Sequence, residues 1–215
     1  TMKQNFLLIV TDQLTWRALP CYGNTFAHTP NIDRIAKKSV KLDACYTACP
    51  LCQPARASLW TSKYPHEIDV LSNGRKWPVS TVPQTVATIG ETFAKAGYET
   101  VHFGKTHDAG ALRGFYVEPE KELPVEPTSP GLPLNFDTFN DRYATEKSVE
   151  YLRTRTSEKP FMMVADLVNP HNICGWIGAF KDDTENPWLT ENLPPLPENF
   201  AVDDMHTRPK AVQYI

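Results

Sequence analysis

Three short apolar segments, each followed by polar or charged residues, constrain the fold of this chain more than any other feature of its sequence. With their flanking residues they extend from Asn5 to Gln13, from Thr100 to His107 and from Pro160 to His171. Short continuous apolar runs of this kind are typical of strands buried on both faces of a parallel sheet. We therefore predict three strands that end in polar residues.

Helical patterns separate these strands. They cover Thr29 to Lys38, Thr85 to Ala96 and Ala144 to Arg155. The first opens with a Thr-Pro pair, a helix start signal, and the second is followed by Gly97, a residue typical of helix ends. Alternating strands and helices predict an α/β fold with a mostly parallel sheet flanked by helices. Ligands bind at the carboxyl ends of strands in such sheets. The side chains expected there are Asp12, Lys105, His107 and His171.

Composition excludes several classes of function. The 215 residues suit one large domain or two small ones, and 41% hydrophobic with 22% charged residues is ordinary for a soluble globular protein. With 22 basic and 25 acidic residues the net charge is −3, which gives no electrostatic case for a nucleic-acid or anionic membrane partner. The apolar runs are far shorter than the ~20 residues of a membrane helix.

Two proline-rich stretches, Pro119 to Pro133 and Pro187 to Pro197, predict long irregular loops.

Cysteine usage points to chemistry. The chain has five cysteines, and three of them are Cys45, Cys49 and Cys52. Such spacing favours a reactive or metal site over a disulfide framework. Pro54 suits the first turn of a helix, which places Cys52 near the helix N-cap and Arg56 one turn further in. A thiol there, with free N–H groups and a guanidinium nearby, predicts an anion site, although the pattern alone also fits an ordinary buried cysteine.

The residues from Cys52 to Arg56, Cys-Gln-Pro-Ala-Arg, resemble the Cys-x-Pro-x-Arg signature of the type I sulfatases of the alkaline phosphatase superfamily, whose motif cysteine is oxidised to formylglycine. Further segments similar to that family, in the family's order, are the strand that ends at Asp12 and Gln13, Thr29 to Asp33, the Gly-Lys-x-His element from Gly104 to His107, and Asn169 to His171. The resemblance implies an alkaline-phosphatase-like sheet and hydrolysis of sulfate esters.

The resemblance also implies a role for each site residue. One hydroxyl of the hydrated aldehyde derived from Cys52 would attack sulfur, the alcohol would leave, and the second hydroxyl would expel sulfate. The residues that would bind Ca²⁺ are Asp12, Gln13 and the modified Cys52. Arg56 and Lys105 would orient the diol and neutralise charge. His107 and His171 would bind sulfate or protonate the leaving oxygen.

Two departures from the family pattern affect these expectations. Gln13 stands where many relatives have a second acid, and a neutral donor lowers the charge of the metal site. The family's remaining metal ligands, an Asp-Asn pair, and a further lysine come from a later region. We therefore expect residues 1–215 to be the N-terminal portion of the catalytic domain, completed by a missing C-terminal half. The start shows no signal peptide, so we expect a cytoplasmic protein if Met2 is the native start and a periplasmic or secreted one otherwise.

Three other functions remain open at the level of sequence. A phosphonate monoester or phosphodiester hydrolase of the same superfamily can use the same modified cysteine. A binding protein would leave Cys52 unconverted. The Cys-x₃-Cys-x₂-Cys spacing resembles the cluster motif of radical SAM enzymes, but Leu51 replaces the usual aromatic residue and no Gly-Gly-Glu follows.

The expected sulfatase substrate is a sulfated saccharide. Asn169 to Gly175 and Leu193 to Pro197 resemble segments of heparan N-sulfatase and related glycan sulfatases. The pair formed by Asp12 and Gln13 also resembles choline sulfatase, which makes choline sulfate the competing substrate. The histidines interpreted as ordinary turn or core residues are His28, His66, His102 and His206.

Overall fold

The computed structural model describes residues 3–74, 81–118 and 139–172. Its strands are β1 (Phe6–Asp12), β2 (Glu99–Gly104), β3 (Tyr116–Glu118) and β4 (Phe161–Pro170), and its helices are α1 (Pro30–Ala36), α2 (Cys52–Thr61), α3 (Ile89–Lys95) and α4 (Phe139–Thr154). Short 3₁₀ helices cover Trp16–Ala18, Pro20–Tyr22 and Pro65–Glu67. The two proline-rich stretches predicted to be loops lie outside the described residues.

Within the described residues the strands form one sheet in the order β1-β4-β2-β3, and every neighbouring pair is parallel. This confirms the predicted parallel sheet flanked by helices. Asp12 lies opposite Pro170, and Gly104 lies opposite Asp166. The carboxyl ends of β1, β4 and β2 therefore meet at one edge. The sequence analysis missed β3, because three residues are too few to show a periodicity.

The central strand β4 is buried on both faces, as its apolar run predicts. Met162 and Val164 pack on one face in a core that includes Trp60 of α2, whereas Phe161 and Met163 pack on the other face with Ala144 of α4. Alternate residues of a strand point to opposite faces, so one continuous apolar run contributes to both cores.

Strand β1 does not have the predicted burial. Leu8 and Val10 pack partly against the core on the α2 side, but Leu7 and Ile9 are 50% and 55% exposed. In the part of the chain that the structure describes, β1 is an edge strand, and α4 covers β2 and β4 instead. The apolar pattern therefore predicted the strand correctly, but the prediction that both of its faces are buried was wrong.

The helix boundaries differ from those predicted for local reasons. Helix α1 ends at Ala36, two residues early, and the backbone of α4 begins five residues early, at Phe139. Helix α3 begins at Ile89 rather than Thr85, because Thr88 and Glu91 form a reciprocal capping box. Among the described residues, no helix is long and apolar enough to cross a bilayer.

Candidate active site

The carboxyl edge of the sheet and the first turn of α2 border an open cleft of about 1010 Å³. Predicted site residues that line it are Asp12, Gln13, Cys52, Arg56 and His171. Cys52 is the first residue of α2, and the free N–H of Gln53 is capped by the Asn73 side chain at 3.0 Å. The predicted helix start is therefore correct to within one residue. The thiol lies at the positive end of the helix dipole.

Arg56 lies one helical turn after Cys52 and connects the cleft to the interior. Its Nη2 donates to Asp12 Oδ2 at 3.4 Å and to Asp166 Oδ1 at 2.9 Å, while its Nη1 donates to Asp166 Oδ2 at 2.5 Å. The arginine side chain is 6% exposed and that of Asp166 is fully buried. Burial lowers the pKa of Arg56, but the hydrogen bonds and charges of both aspartates raise it above its ordinary value. The guanidinium is therefore a fixed cation.

Gly104 allows Lys105 to reach Asp12. Its φ of +103° lies in the region that favours glycine. A Cβ at this position would overlap the Asp166 carbonyl oxygen and lie 2.9 Å from the Ala144 side chain. The chain can therefore turn sharply at the end of β2, where the Lys105 N–H donates to the Asp166 carbonyl at 2.9 Å and the Lys105 ammonium contacts the Asp12 carboxylate.

Asp12 keeps its negative charge among these cations. Burial of its carboxyl raises the pKa, but the hydrogen bond from Lys105 and the charges of Lys105, Arg56 and His171 outweigh burial and lower the pKa below its ordinary value of 3.8. An ionised carboxylate is the protein ligand that hard divalent cations prefer.

Asp12, Cys52 and His171 form a group suited to a cation. A carboxylate oxygen, the Sγ atom and an imidazole nitrogen all lie within 4.8 Å of one another. In formylglycine, the carbon that carries Sγ would carry oxygen instead, so this position becomes an oxygen donor. Asp12 and the modified Cys52 therefore fit a divalent metal whose remaining ligands come from elsewhere, with the His171 imidazole beside them. Within the described residues, Cys52 lies beside Asp12 and His171, a grouping that the radical SAM interpretation does not explain.

Comparison with known proteins agrees with this geometry. The family model for sulfatases matches residues 4–203. The chain belongs to the sulfatase family. A curated relative, a Delta 4,5-hexuronate-2-O-sulfatase of Bacteroides thetaiotaomicron, is 46% identical over 216 residues, which cover 99% of this chain and 44% of the relative.

Solved sulfatase structures show the same fold. One of a 2-O GAG sulfatase has a TM-score of 0.87 and 44% identity, covering 99% of this chain and 45% of that one. Another, in complex with D-glucosamine-2-N,6-O-disulfate, has a TM-score of 0.72 and 27% identity, covering 97% and 42%. This chain thus spans less than half the length of these sulfatases.

Two predicted residues of this sulfatase chain lie at the margin of the site. Gln13 lines the cleft but is exposed, with a φ of +63°. His107 was expected with Lys105 at the carboxyl ends of the strands. However, β2 ends at Gly104 and His107 has a φ of +35°, so Lys105 is buried against Asp12 while His107 is exposed.

Although much of His107 is exposed, partial burial of its imidazole and the charge of Lys105 lower its pKa. A hydrogen bond with the Asn73 backbone and the charge of Asp12 oppose this shift, whereas the charge of Arg56 adds to it. The charged groups of the site therefore affect the pKa of His107. Lys105 forms an ion pair with Asp12, whereas His107 does not.

Sequence analysis missed two buried members of this sulfatase site, Asp166 and His102. His102 was interpreted as an ordinary histidine, yet its Nε2 lies 3.3 Å from Asp166 Oδ2 and both side chains are fully buried. The available signal was a charged residue inside the otherwise apolar segment 161–168. A carboxylate inside a buried strand needs a charged or hydrogen-bonding partner.

Proposed function

We propose that the enzyme containing this chain hydrolyses the sulfate ester of a sulfated saccharide, with a nucleophile derived from Cys52. We further propose that residues 1–215 are the N-terminal portion of its catalytic domain. The observation that carries the proposal is the position of Cys52 at the start of α2, within 4.8 Å of Asp12 and His171 and one turn before Arg56. The cysteine is thereby surrounded by groups that bind a cation and an anion.

The family uses formylglycine and a divalent metal, and the residues present fit both. When bound, the hydrated aldehyde supplies the oxygen nucleophile and the metal supplies positive charge next to it. Asp12 and the modified Cys52 would hold the metal, with Gln13 offering an amide oxygen. We propose Ca²⁺, because the site is built for oxygen donors.

Arg56 and Lys105 carry out the electrostatic part of the reaction. A sulfate ester shields its sulfur with negatively charged oxygens, so hydrolysis requires cations that are already in place. Both side chains contact Asp12 Oδ2 and are almost fully buried, which fixes their charges at the base of the cleft. We assign them binding of the sulfate oxygens and orientation of the nucleophile.

We assign the two histidines proton donation to the leaving group and binding of the sulfate group. His171 lies beside Cys52 in the cleft, and we assign it protonation of the leaving alcohol oxygen. The lowered pKa of His107 keeps its imidazole neutral near pH 7, so we assign it a hydrogen bond to the sulfate group.

The sulfated saccharide is inferred from the relatives. One acts on a hexuronate 2-O-sulfate and another was solved with a sulfated glucosamine. At 46% identity the first is the better guide, so we propose an unsaturated uronic acid carrying a 2-O-sulfate as the preferred substrate class.

Release of inorganic sulfate by the full-length enzyme tests this proposal. The substrates are an unsaturated hexuronate 2-O-sulfate disaccharide, glucosamine 6-sulfate, choline sulfate and a phosphonate monoester, the last assayed for phosphonate release. We expect the largest kcat/KM for the hexuronate. Turnover confined to choline sulfate would overturn the saccharide assignment. Turnover of the phosphonate alone would replace the sulfatase with the phosphonate hydrolase of the same superfamily.

A further inference from the structure

The Asp166 carboxylate lies beneath the site and contacts no residue to which the proposed function gives a role except Arg56. It sits near the carboxyl end of β4, fully buried, and binds both terminal nitrogens of the Arg56 guanidinium at 2.5 and 2.9 Å. Two parallel hydrogen bonds to a carboxylate fix the plane of a guanidinium as well as its position. Arg56 therefore cannot rotate while this pair is intact.

The pair determines which nitrogen faces the cleft. Nη2 of Arg56 is shared between Asp166 Oδ1 at 2.9 Å and Asp12 Oδ2 at 3.4 Å. Asp12 lines the cleft and Asp166 lies in the interior. The inner carboxylate thus holds the arginine at the depth where one N–H group can reach Asp12.

His102 contacts the same carboxylate and shares its Oδ2 atom with Arg56. Its Nε2 lies 3.3 Å from Asp166 Oδ2, and its ring packs edge-on against Trp60 at 6.1 Å between centroids. In the described part of the chain, His102 Nδ1 is buried without a hydrogen-bond partner. Among the described residues, Asp166 is thus the hydrogen-bonding partner of this buried ring.

We propose that Asp166 is a positioning residue, braced by His102, which sets the orientation of the Arg56 guanidinium for binding the sulfate group. This inference rests on the proposed function, because it takes from it the role of Arg56 in anion binding. Asp166 also brings a negative charge close to the anion site. If charge were its main effect, removing it would strengthen anion binding, whereas loss of a positioning residue weakens it. The two roles therefore predict opposite signs.

The test measures the affinity of the full-length, metal-loaded enzyme for inorganic sulfate by calorimetry. Asp166→Asn keeps the size of the side chain but replaces one acceptor oxygen with an amide that faces the guanidinium. We expect sulfate affinity to fall about 10- to 100-fold, the usual effect of removing a residue that orients a ligand-binding group. The matched control is Glu99→Gln, which breaks the Arg155–Glu99 ion pair at the opposite end of β2 and should leave sulfate affinity unchanged.

Two further variants extend the test, and the first of them does not require Asp166→Asn to fold. Arg56→Lys retains the charge but cannot form two parallel hydrogen bonds. We expect Arg56→Lys to lose sulfate affinity to a similar degree, and the double variant with Asp166→Asn to lose no more than Arg56→Lys alone. A structural role unrelated to Arg56 would instead make the two losses multiply.

Several results would overturn the proposal. They are unchanged or tighter sulfate binding by Asp166→Asn, wild-type sulfate affinity of Arg56→Lys, and multiplied losses in the double variant. The proposed function is judged separately, by turnover of the wild-type enzyme. An enzyme that binds sulfate but hydrolyses no sulfate ester would contradict the proposed function, while the sulfate affinities would still decide the role of Asp166.

Discussion

His107 and Lys105 are two residues apart, yet they meet different surroundings. The left-handed backbone after β2 leaves Lys105 buried against Asp12 and His107 exposed beside the cleft. The imidazole still senses the cations, because its packing and the Lys105 charge lower its pKa below the ordinary value of 6.5. The pKa of His107 therefore reports on the charges of the neighbouring site residues.

We predict that the NMR titration midpoint of His107 lies below 6.5 and rises in Lys105→Met, which removes a positive neighbour and frees the Asp12 charge to favour the protonated ring. Lys95→Met, at the end of α3, is the control and should leave the midpoint in place. The unfolded chain binds the proton more readily than the folded one. The contribution of His107 to stability is therefore complete above about pH 6.5 and is lost as the pH falls toward the folded pKa. A midpoint at or above 6.5 would contradict this assignment.

Residues at strand ends and in short motifs could be predicted from the sequence, and buried polar partners could not. Asp12 and Lys105 follow apolar strands, and Arg56 belongs to a recognisable motif, so each had a local signal. Asp166 has none beyond its charge, because its partner Arg56 lies 110 residues earlier and only the folded sheet brings them together. Long-range ion pairs of this kind depend on strand order, which local periodicity does not encode.

The elements that position the site depend on close backbone approach as well as on propensity. Gly104 ends β2 where the chain passes against the Asp166 carbonyl and α4. Gly23 has nearly the same φ, +101° against +103°, but a Cβ there would meet nothing within 4 Å. Substitution of Gly23 therefore tests the cost of a positive φ alone, whereas substitution of Gly104 also tests the cost of steric overlap with neighbouring atoms.

We predict that Gly23→Ala lowers the free energy of unfolding by roughly 1 to 2 kcal/mol, the cost of a left-handed conformation. Gly104→Ala adds overpacking of about 1 to 3 kcal/mol and should displace Lys105. Urea denaturation of the full-length protein measures both. Equal losses for the two variants would show that the approach of β2 to β4 is looser than described here.

The predicted strands and helices were of the correct type, but their boundaries and burial were predicted less accurately. Within the described residues, hydrophobic spacing identified β1, β2 and β4 and the helices α1, α3 and α4, and Pro54 indicated α2, whereas the three 3₁₀ helices were not predicted. The start of α3 depended on the capping box of Thr88 and Glu91 rather than on the apolar stripe. The burial of β1 depended on which elements cover it, which the spacing of its own residues does not determine.

At the scale of the whole molecule, β1 combines exposed apolar residues with a residue of the proposed metal site. Among the described residues it is an edge strand with Leu7 and Ile9 exposed, and Asp12 at its end is the carboxylate of the proposed metal group. An exposed apolar edge strand favours aggregation. The protein ligands proposed here are fewer than the six or more oxygens that Ca²⁺ prefers.

We predict that the 215-residue chain, expressed alone with formylglycine installed, binds Ca²⁺ weakly, hydrolyses no sulfate ester and self-associates. The full-length enzyme should bind Ca²⁺ tightly and remain unaggregated. Calorimetry, a sulfate-release assay and light scattering compare the two proteins. A monomeric, active 215-residue chain with tight Ca²⁺ binding would contradict the ligand count and the assignment of the chain to part of a catalytic domain.

The origin of the nucleophile from Cys52 is tested by the rate of sulfate release by full-length Cys52→Ala compared with Cys49→Ala. Both cysteines are half-buried in the same cleft, but only Cys52 has the proline and arginine two and four residues later. Cys52→Ala should lose activity by several orders of magnitude, as in other enzymes that lose a nucleophile, with losses on the order of a millionfold. Cys49→Ala should remain close to wild type. Sulfate release by Cys52→Ala at the wild-type rate, or its loss in Cys49→Ala alone, would contradict the account.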